Sequence, residues 1–302
     1  MNYLIIGTGG VGGCIAGFLA LAGKDVTCIA RGKHLEAIRR QGLHLKSDLK
    51  GEHFLPVKAC TAEEYQGKAD VILVCVKGYS IDSIRPVLER AATPDTLVIP
   101  ILNVYGTGPR IGRLVLLSRC STVYLHRGLR IGRRGNQSDG QHLPPGVRCA
   151  SAAAGGARTA GEDCRRTPRV RHQGGRVGRH QPGYVHQMVV HLGHGLHGCY
   201  HDVPMGEVQH EGEVRDTFVG LSRESAQIGE KLGIAYPGDP VAYNLMVIDK
   251  LDPHSTASMQ KDIARGHESE IQGLLFDMID LGAQLHIDMP TYRKVAQKFQ
   301  QA

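Results

Sequence analysis

Short apolar runs and a glycine-rich break alternate through the first thirty residues. Residues 3–6, YLII, are apolar and of strand length. Gly7-Thr8-Gly9-Gly10-Val11-Gly12 follows, then an apolar stretch to about Ala22 that is long enough for a helix. Lys24 to Ala30, KDVTCIA, reads as a second strand. Strand, G-x-G-x-x-G, helix and strand in that order make a dinucleotide-binding fingerprint. Gly7 permits the tight turn, Gly9 lets the backbone approach a pyrophosphate, and Gly12 lets the helix pack closely on the strand. The helix start adds amide donors and a positive dipole end. An incidental glycine-rich turn is the competing reading.

Two further apolar runs, Ala69 to Lys77 and Thr96 to Leu102, read as buried parallel strands. Between them Ser80 to Ala91 places Ile81, Ile84, Val87 and Leu88 on one helical face. Lys77 closes the first run and Asn103 follows the second. Ligands of doubly wound sheets bind at the carboxyl ends of strands, so both are candidate site residues. A solvated lysine and a turn asparagine are the alternatives. From Met205 onward the period is helical: 214–232 closed by Gly233, 240–251, a strongly apolar 271–281, and 290–299. The prediction is an α/β chain. A Rossmann-type doubly wound parallel sheet spans 1–165, and an all-α domain spans 166–302.

The charge at the end of the second strand bears on the cofactor. An acid there would bind the ribose 2′-hydroxyl of NAD, but Arg31 stands in its place, followed by Gly32 and Lys33. Arginine pairs with a 2′-phosphate, which points to NADP. Two ordinary surface cations are the bland alternative.

Composition singles out residues 119–201. The chain has net charge +7, yet these 83 residues hold 13 Arg, no Lys and three acids, while the other 219 carry a net −3. Nine of the 16 His and 15 of the 39 Gly lie here, and Leu, Ile, Val and Phe make up only 16% of the segment. Low order is therefore expected, and 119–165 and 166–201 stand out as anomalous within the two domains. A basic nucleic-acid arm is one reading, though aromatic residues are scarce. A metal site in His191-x-x-His194-x-x-His197-x-Cys199-x-His201 is a second, though the spacing fits no closed tetrahedral pattern. The favoured reading is a shifted reading frame in a GC-rich gene. His186-Gln187-Met188-Val189 requires CAY-CAR-ATG-GTN, and read one nucleotide later it encodes a Lys or Arg beside a Trp.

No apolar run reaches the roughly 18 residues of a membrane-spanning helix. The start, MNYLIIG, carries no secretory pattern, and the eight scattered Cys suit reduced thiols in a cytoplasm. Nucleic acid and membrane are left out of the expected partners, no metal is expected, and a homodimer stays open.

The chain resembles the ketopantoate reductase family (2-dehydropantoate 2-reductase). The matching stretches are IIGTGGVGG, IARGKHLEAIR, DVILVCVKGY, ILNVYG, PMGEV and STASMQKDIARGHESEI, within about 1–118 and 203–302. The last is the most specific, through Ser258-Met259, Asp262 and Ser269-Glu270-Ile271. The resemblance implies NADPH-dependent reduction of the 2-keto group of ketopantoate in pantothenate synthesis. It also implies a helical domain like the C-terminal domain of 6-phosphogluconate dehydrogenase. By the same resemblance, Gly7, Thr8, Gly9, Gly10, Val11, Gly12 and Arg31 hold the cofactor, and Lys77 and Asn103 lie near nicotinamide and substrate. Ser258 would hold the substrate carboxylate, and Glu270 would meet a substrate hydroxyl or the cofactor. The departure is the family's general-acid lysine, expected near Gln187. The chain has no Lys between 78 and 230, and a glutamine cannot act as an ammonium acid. A non-catalytic NADP-binding remnant, or a reductase of another 2-keto acid, is the alternative.

Overall fold

The computed structural model describes residues 1–47, 50–115, 195–236 and 238–300, and the main chain of 119–120. The chain divides into two compact units, 1–102 with 106–169, and 103–105 with 170–302.

The first unit is built on a six-stranded sheet. Its strands are β1 (Asn2–Ile6), β2 (Asp25–Ile29), β5 (Lys58–Cys60), β6 (Val71–Val74), β7 (Leu97–Pro100) and β8 (Arg119–Cys120). The order is β5-β2-β1-β6-β7-β8, and every pairing is parallel. Strands run outward from β1 in one direction and from β6 in the other, so the topological switch point lies between them. Successive side chains face opposite sides of a strand, and the sheet is apolar on both. Leu4, Ile6, Ile72, Val74 and Val98 enter one core with Ile81, Val87, Leu88 and Ile111. Ile5, Val26, Cys28, Val71, Leu73 and Ile99 enter the other with Ala16, Leu35 and Ile38. Burying each such aliphatic side chain contributes about 1.5–3 kcal/mol, which is why the period-2 pattern disappears into unbroken apolar runs.

Helix α1 (Gly10–Leu21) follows β1, α2 (Gly32–Gln41) follows β2, α3 (Arg85–Ala91) follows β6 and α4 (Thr107–Leu114) follows β7. An antiparallel hairpin, β3 (Leu43–Ser47) with β4 (Gly51–Leu55), interrupts the passage to β5. The helix expected from Ser80 begins only at Arg85. Two 3₁₀ turns, Gly78–Ser80 and Asp82–Ile84, come first, and Pro86 sits in the first turn of α3. A proline has no N–H and clashes one turn back, so it starts a helix rather than continuing one.

The second unit is helical. Residues 195–201 form α5. After it come α6 (Met205–Val208), α7 (Glu213–Lys231), α8 (Pro240–Ile248), α9 (Ser258–Ala264), a π-helical turn (Gln272–Phe276), α10 (Asp277–Gln284) and α11 (Pro290–Gln300). Phe218 of α7 packs with Met205, Val208 and Ile248. The start of α11 is held by a buried carboxylate. Glu224 of α7 accepts the amides of Thr291 at 2.7 Å and Tyr292 at 3.0 Å, and Ser225 meets the Tyr292 hydroxyl at 2.7 Å. The expected closure of α7 at Gly233 is present, with Gly233 at φ +82° donating to the carbonyl of Glu230.

The low order expected over 119–201 is met by regular structure at both ends of that segment, and residues 121–194 lie outside the described residues. Helix α5 lies inside that segment, and its Leu196 and His197 are fully buried. Lys298 of α11 donates to the carbonyls of Cys199 (3.2 Å) and Tyr200 (2.5 Å), supplying the acceptors at the end of α5 with a cation. At the other end, residues 119–120 pair with β7. The average composition of the segment conceals the packed helix at one end and the strand pairing at the other. None of the described helices is long and apolar enough to cross a membrane.

Candidate functional site

The glycine loop is shaped by the space around each glycine. Gly7 takes φ +94°, which a side chain resists, and a Cβ there would sit 2.9 Å from the Cys75 carbonyl group at the end of β6. A Cβ on Gly12 would run into the carbonyl oxygen of Gly7. Gly9 is different: a Cβ there would meet nothing within 4 Å. Two glycines thus let the strand, loop and helix close on each other, and the third keeps an open approach to the backbone. Gly9 is also the N-cap of α1 and offers no side-chain acceptor, and no acid stands in the first turn. The amides and positive end of a twelve-residue helix therefore face that approach uncompensated by a side chain.

Thr8 locks the loop to β2. Its amide and its hydroxyl both donate to the Ile29 carbonyl, at 3.2 and 2.8 Å, and the residue is buried. Val11 and Gly10 are exposed at the start of α1. Arg31, at the end of β2, is the extended N-cap of α2, and Arg31 and Lys33 are both exposed. Their cations are accessible, as contact with a phosphate requires. The thiols nearby supply no nucleophile. Burial pushes Cys28 up to about 11 despite a hydrogen bond with Thr8, and pushes Cys75 up to about 12.

Lys77 follows β6 by three residues in extended conformation and is half-buried. Its carbonyl accepts the amide of Ser80, which turns the chain into the 3₁₀ segment. Strand β6 ends at Val74 and not at Lys77, so the lysine belongs to the loop at the switch point beside the glycine turn. Asn103 follows β7 by three residues and is exposed. With Val104 and Tyr105 it clusters with the second unit. There Val104 packs so tightly on the π-helical turn that a Cβ on Gly273 would lie 2.5 Å from Val104 Cγ1. Glu270 is buried two residues before the start of that turn, and the Leu274 amide bonds to its carbonyl. The π-helical turn, a form common beside functional sites, thus brings the Asn103 loop and the Glu270 segment together. Ser258 begins α9 and is exposed.

Gln187 lies outside the described residues, as do His191, His194 and most of the arginines of the basic segment. The described members of the histidine–cysteine series turn to separate partners. His197 packs edge-on against Phe218, His201 meets the Thr217 hydroxyl at 3.0 Å, and burial pushes the Cys199 thiol up to about 12. Among the described residues no group of three or more His, Cys, Asp or Glu could hold a metal ion.

The sequence pattern missed His34. It sits in the first turn of α2, and its Nε2 lies 2.7 Å from the Thr8 carbonyl oxygen. The only signal was position: a hydrogen-bonding side chain three residues beyond Arg31, in the helix that the glycine loop faces.

Similarity to known proteins extends beyond the matching stretches given above. A family model described as "Ketopantoate reductase PanE/ApbA" matches residues 3–128, and one described as "Ketopantoate reductase PanE/ApbA C terminal" matches 185–302. The unmatched stretch thus narrows to 129–184. A 2-dehydropantoate 2-reductase of Mesorhizobium japonicum is 40% identical over 115 residues, 36% of this chain and 35% of that one. The alignments span about a third of the length of the curated relatives. Among solved structures, 2-dehydropantoate 2-reductase from Geobacter metallireducens superposes with TM-score 0.76 at 19% identity, covering 100% of this chain and 99% of that one. A ternary structure of D-mandelate dehydrogenase with NADH and anilino(oxo)acetate gives TM-score 0.72 at 15% identity, covering 98% and 96%. At these identities the two structures show the fold.

Proposed function

The chain belongs to the ketopantoate reductase family, and from that premise we propose that it binds NADPH on its glycine loop and serves the reduction of a 2-keto acid, ketopantoate being the first candidate. The observation that carries this reading is the loop itself. Gly7 and Gly12 are closed in by backbone, Gly9 is open, and the uncapped start of α1 lies behind it. That cradle fits a pyrophosphate. Arg31 would take the 2′-phosphate, with Lys33 adding charge, and this is what favours NADP over NAD.

When bound, the reduced nicotinamide supplies the hydride. Protein residues then have to orient the keto acid, exclude water and deliver a proton to the carbonyl oxygen. In this reading Ser258 holds the substrate carboxylate, Asn103 and Lys77 border the reacting carbonyl, and Glu270 accepts a substrate hydroxyl or contacts the cofactor. The proton is the missing part. With no Lys between 78 and 230, the chain lacks the ammonium acid that the resemblance places near Gln187. A binding-competent remnant is therefore the second reading, and a frame shift confined to the interior would account for it.

Two measurements test the proposal. Fluorescence titration should show NADPH binding, tighter than NADH binding, while ketopantoate-dependent NADPH oxidation stays near the blank. Nucleotide sequencing across codons 112–205, and expression of the chain with the frame restored, should then yield a Lys beside a Trp. Activity should rise by about 100- to 10,000-fold, the ordinary contribution of a general acid. A chain that binds neither dinucleotide would sink the reading. A homodimer in the cytoplasm belongs to the same proposal, with light scattering as the check on assembly.

A further inference from the structure

Every polar main-chain and side-chain group of Thr8 is committed. The amide and hydroxyl reach the Ile29 carbonyl at 3.2 and 2.8 Å, and the carbonyl oxygen lies 2.7 Å from His34 Nε2. A carbonyl oxygen only accepts, so Nε2 must carry the proton and donate. The Thr8–Gly9 peptide is planar and trans, because the described chain contains no cis bond. In such a unit the N–H points opposite to the C=O. Pulling the Thr8 carbonyl towards α2 therefore aims the Gly9 amide the other way. Gly9 is the open glycine of the loop and the N-cap of α1. With φ and ψ nearly unrestricted at glycine, nothing in Gly9 itself fixes that amide.

We propose that His34 is a positioning residue for the dinucleotide: by holding the Thr8 carbonyl it sets the direction of the Gly9 amide, and so preorganises the pyrophosphate site. It acts on the part of the cofactor common to NADPH and NADH. Arg31, three residues earlier, acts on the 2′-phosphate alone. The two cations of this turn and its histidine thus divide the work between charge and geometry. The inference rests on the glycine loop being a dinucleotide site, and it deepens that reading.

The test uses the full chain and fluorescence titration with NADPH and NADH in parallel. His34→Ala should weaken both dinucleotides by the same factor, about 5- to 10-fold, the worth of one hydrogen bond. His34→Gln should recover most of the loss, because its amide donates at similar reach without a ring or a charge. Arg31→Ala should weaken NADPH alone. Circular dichroism and thermal melting should leave the exposed His34→Ala variant folded as the parent. Equal affinities for parent and His34→Ala would overturn the positioning role while leaving the cofactor reading intact. A loss confined to NADPH would also overturn it, by making His34 a phosphate ligand. Failure of the parent itself to bind either dinucleotide would remove the cofactor reading and this role together.

Discussion

The two units hold their chemistry in different materials. In the first, the pyrophosphate cradle is main chain, with Arg31 and Lys77 set around it: a glycine with positive φ, a glycine with open space, a helix start and a carbonyl bonded to His34. In the second, it is side chains: Ser258, Glu270 and the absent lysine. A backbone site needs only that the strands on either side pack, and their apolar residues lie within one hundred contiguous positions. A side-chain site fails with a single residue. Loss of a side chain from the middle of the chain would therefore strike catalysis and spare binding.

The harshest way to break this comparison is to damage the backbone site. Gly12→Val should abolish NADPH binding, a loss of more than about 100-fold, because its first side-chain carbon would collide with the Gly7 carbonyl oxygen and main chain cannot swing aside. Ser258→Ala should leave NADPH affinity within about twofold, as expected of an exposed residue remote from a fold determinant. Titration of both variants checks this. If the serine variant lost the cofactor, the contrast between the units would be false.

Much of the first unit was legible because strand burial writes itself into composition. YLII and DVILVCV read as strands with two covered faces, and the glycine spacing reports the turn that leaves the first of them. The hairpin of β3 and β4 escaped: LHLKS alternates cleanly but is only five residues long, and its partner GEHFL does not alternate, with Phe54 exposed opposite His44. Contacts between distant segments escaped too. Nothing in HLEAIR announces a bond from His34 back to Thr8, and nothing in the basic stretch announces that Lys298 would cap α5. Local pattern reveals elements; it does not reveal which carbonyl a side chain will find.

Side chains also hold the second unit together, and there the next largest effect is expected. Glu224→Ala removes a buried carboxylate from two amides at the start of α11 and should cost about 2–4 kcal/mol. Glu224→Gln keeps an acceptor and should cost about half as much. Chemical denaturation followed by circular dichroism reads both. NADPH affinity below the transition should stay at the parental value, which sharpens the contrast between the two units.

Arg31→Ala separates charge from geometry inside the first unit. It should raise the Kd for NADPH about 10-fold, some 1.4 kcal/mol, and leave that for NADH unchanged. An equal loss for both dinucleotides would remove the argument for NADP and place Arg31 with the loop rather than the 2′-phosphate.

The smallest effect is at Tyr292. Ser225 donates its only hydroxyl proton to the Leu221 carbonyl at 2.8 Å, so at their 2.7 Å contact Tyr292 must be the donor. Tyr292→Phe removes that donor and leaves Ser225 with its own bond made, so no donor is orphaned and the cost at neutral pH should be only about 1 kcal/mol. Burial pushes the Tyr292 hydroxyl well above its ordinary value of 10.0. The unfolded chain then releases this proton at lower pH than the folded chain does. Above about pH 10 the parent therefore loses up to about 1.4 kcal/mol of stability per pH unit from this group, and the Phe variant does not. The gap between the two should narrow as pH rises, and then change sign. Paired denaturation curves at pH 7 and above about pH 10 settle it: a gap that stays constant would mean that the hydroxyl is not held neutral by burial, and that α7 and α11 meet more loosely than the fully buried ring implies.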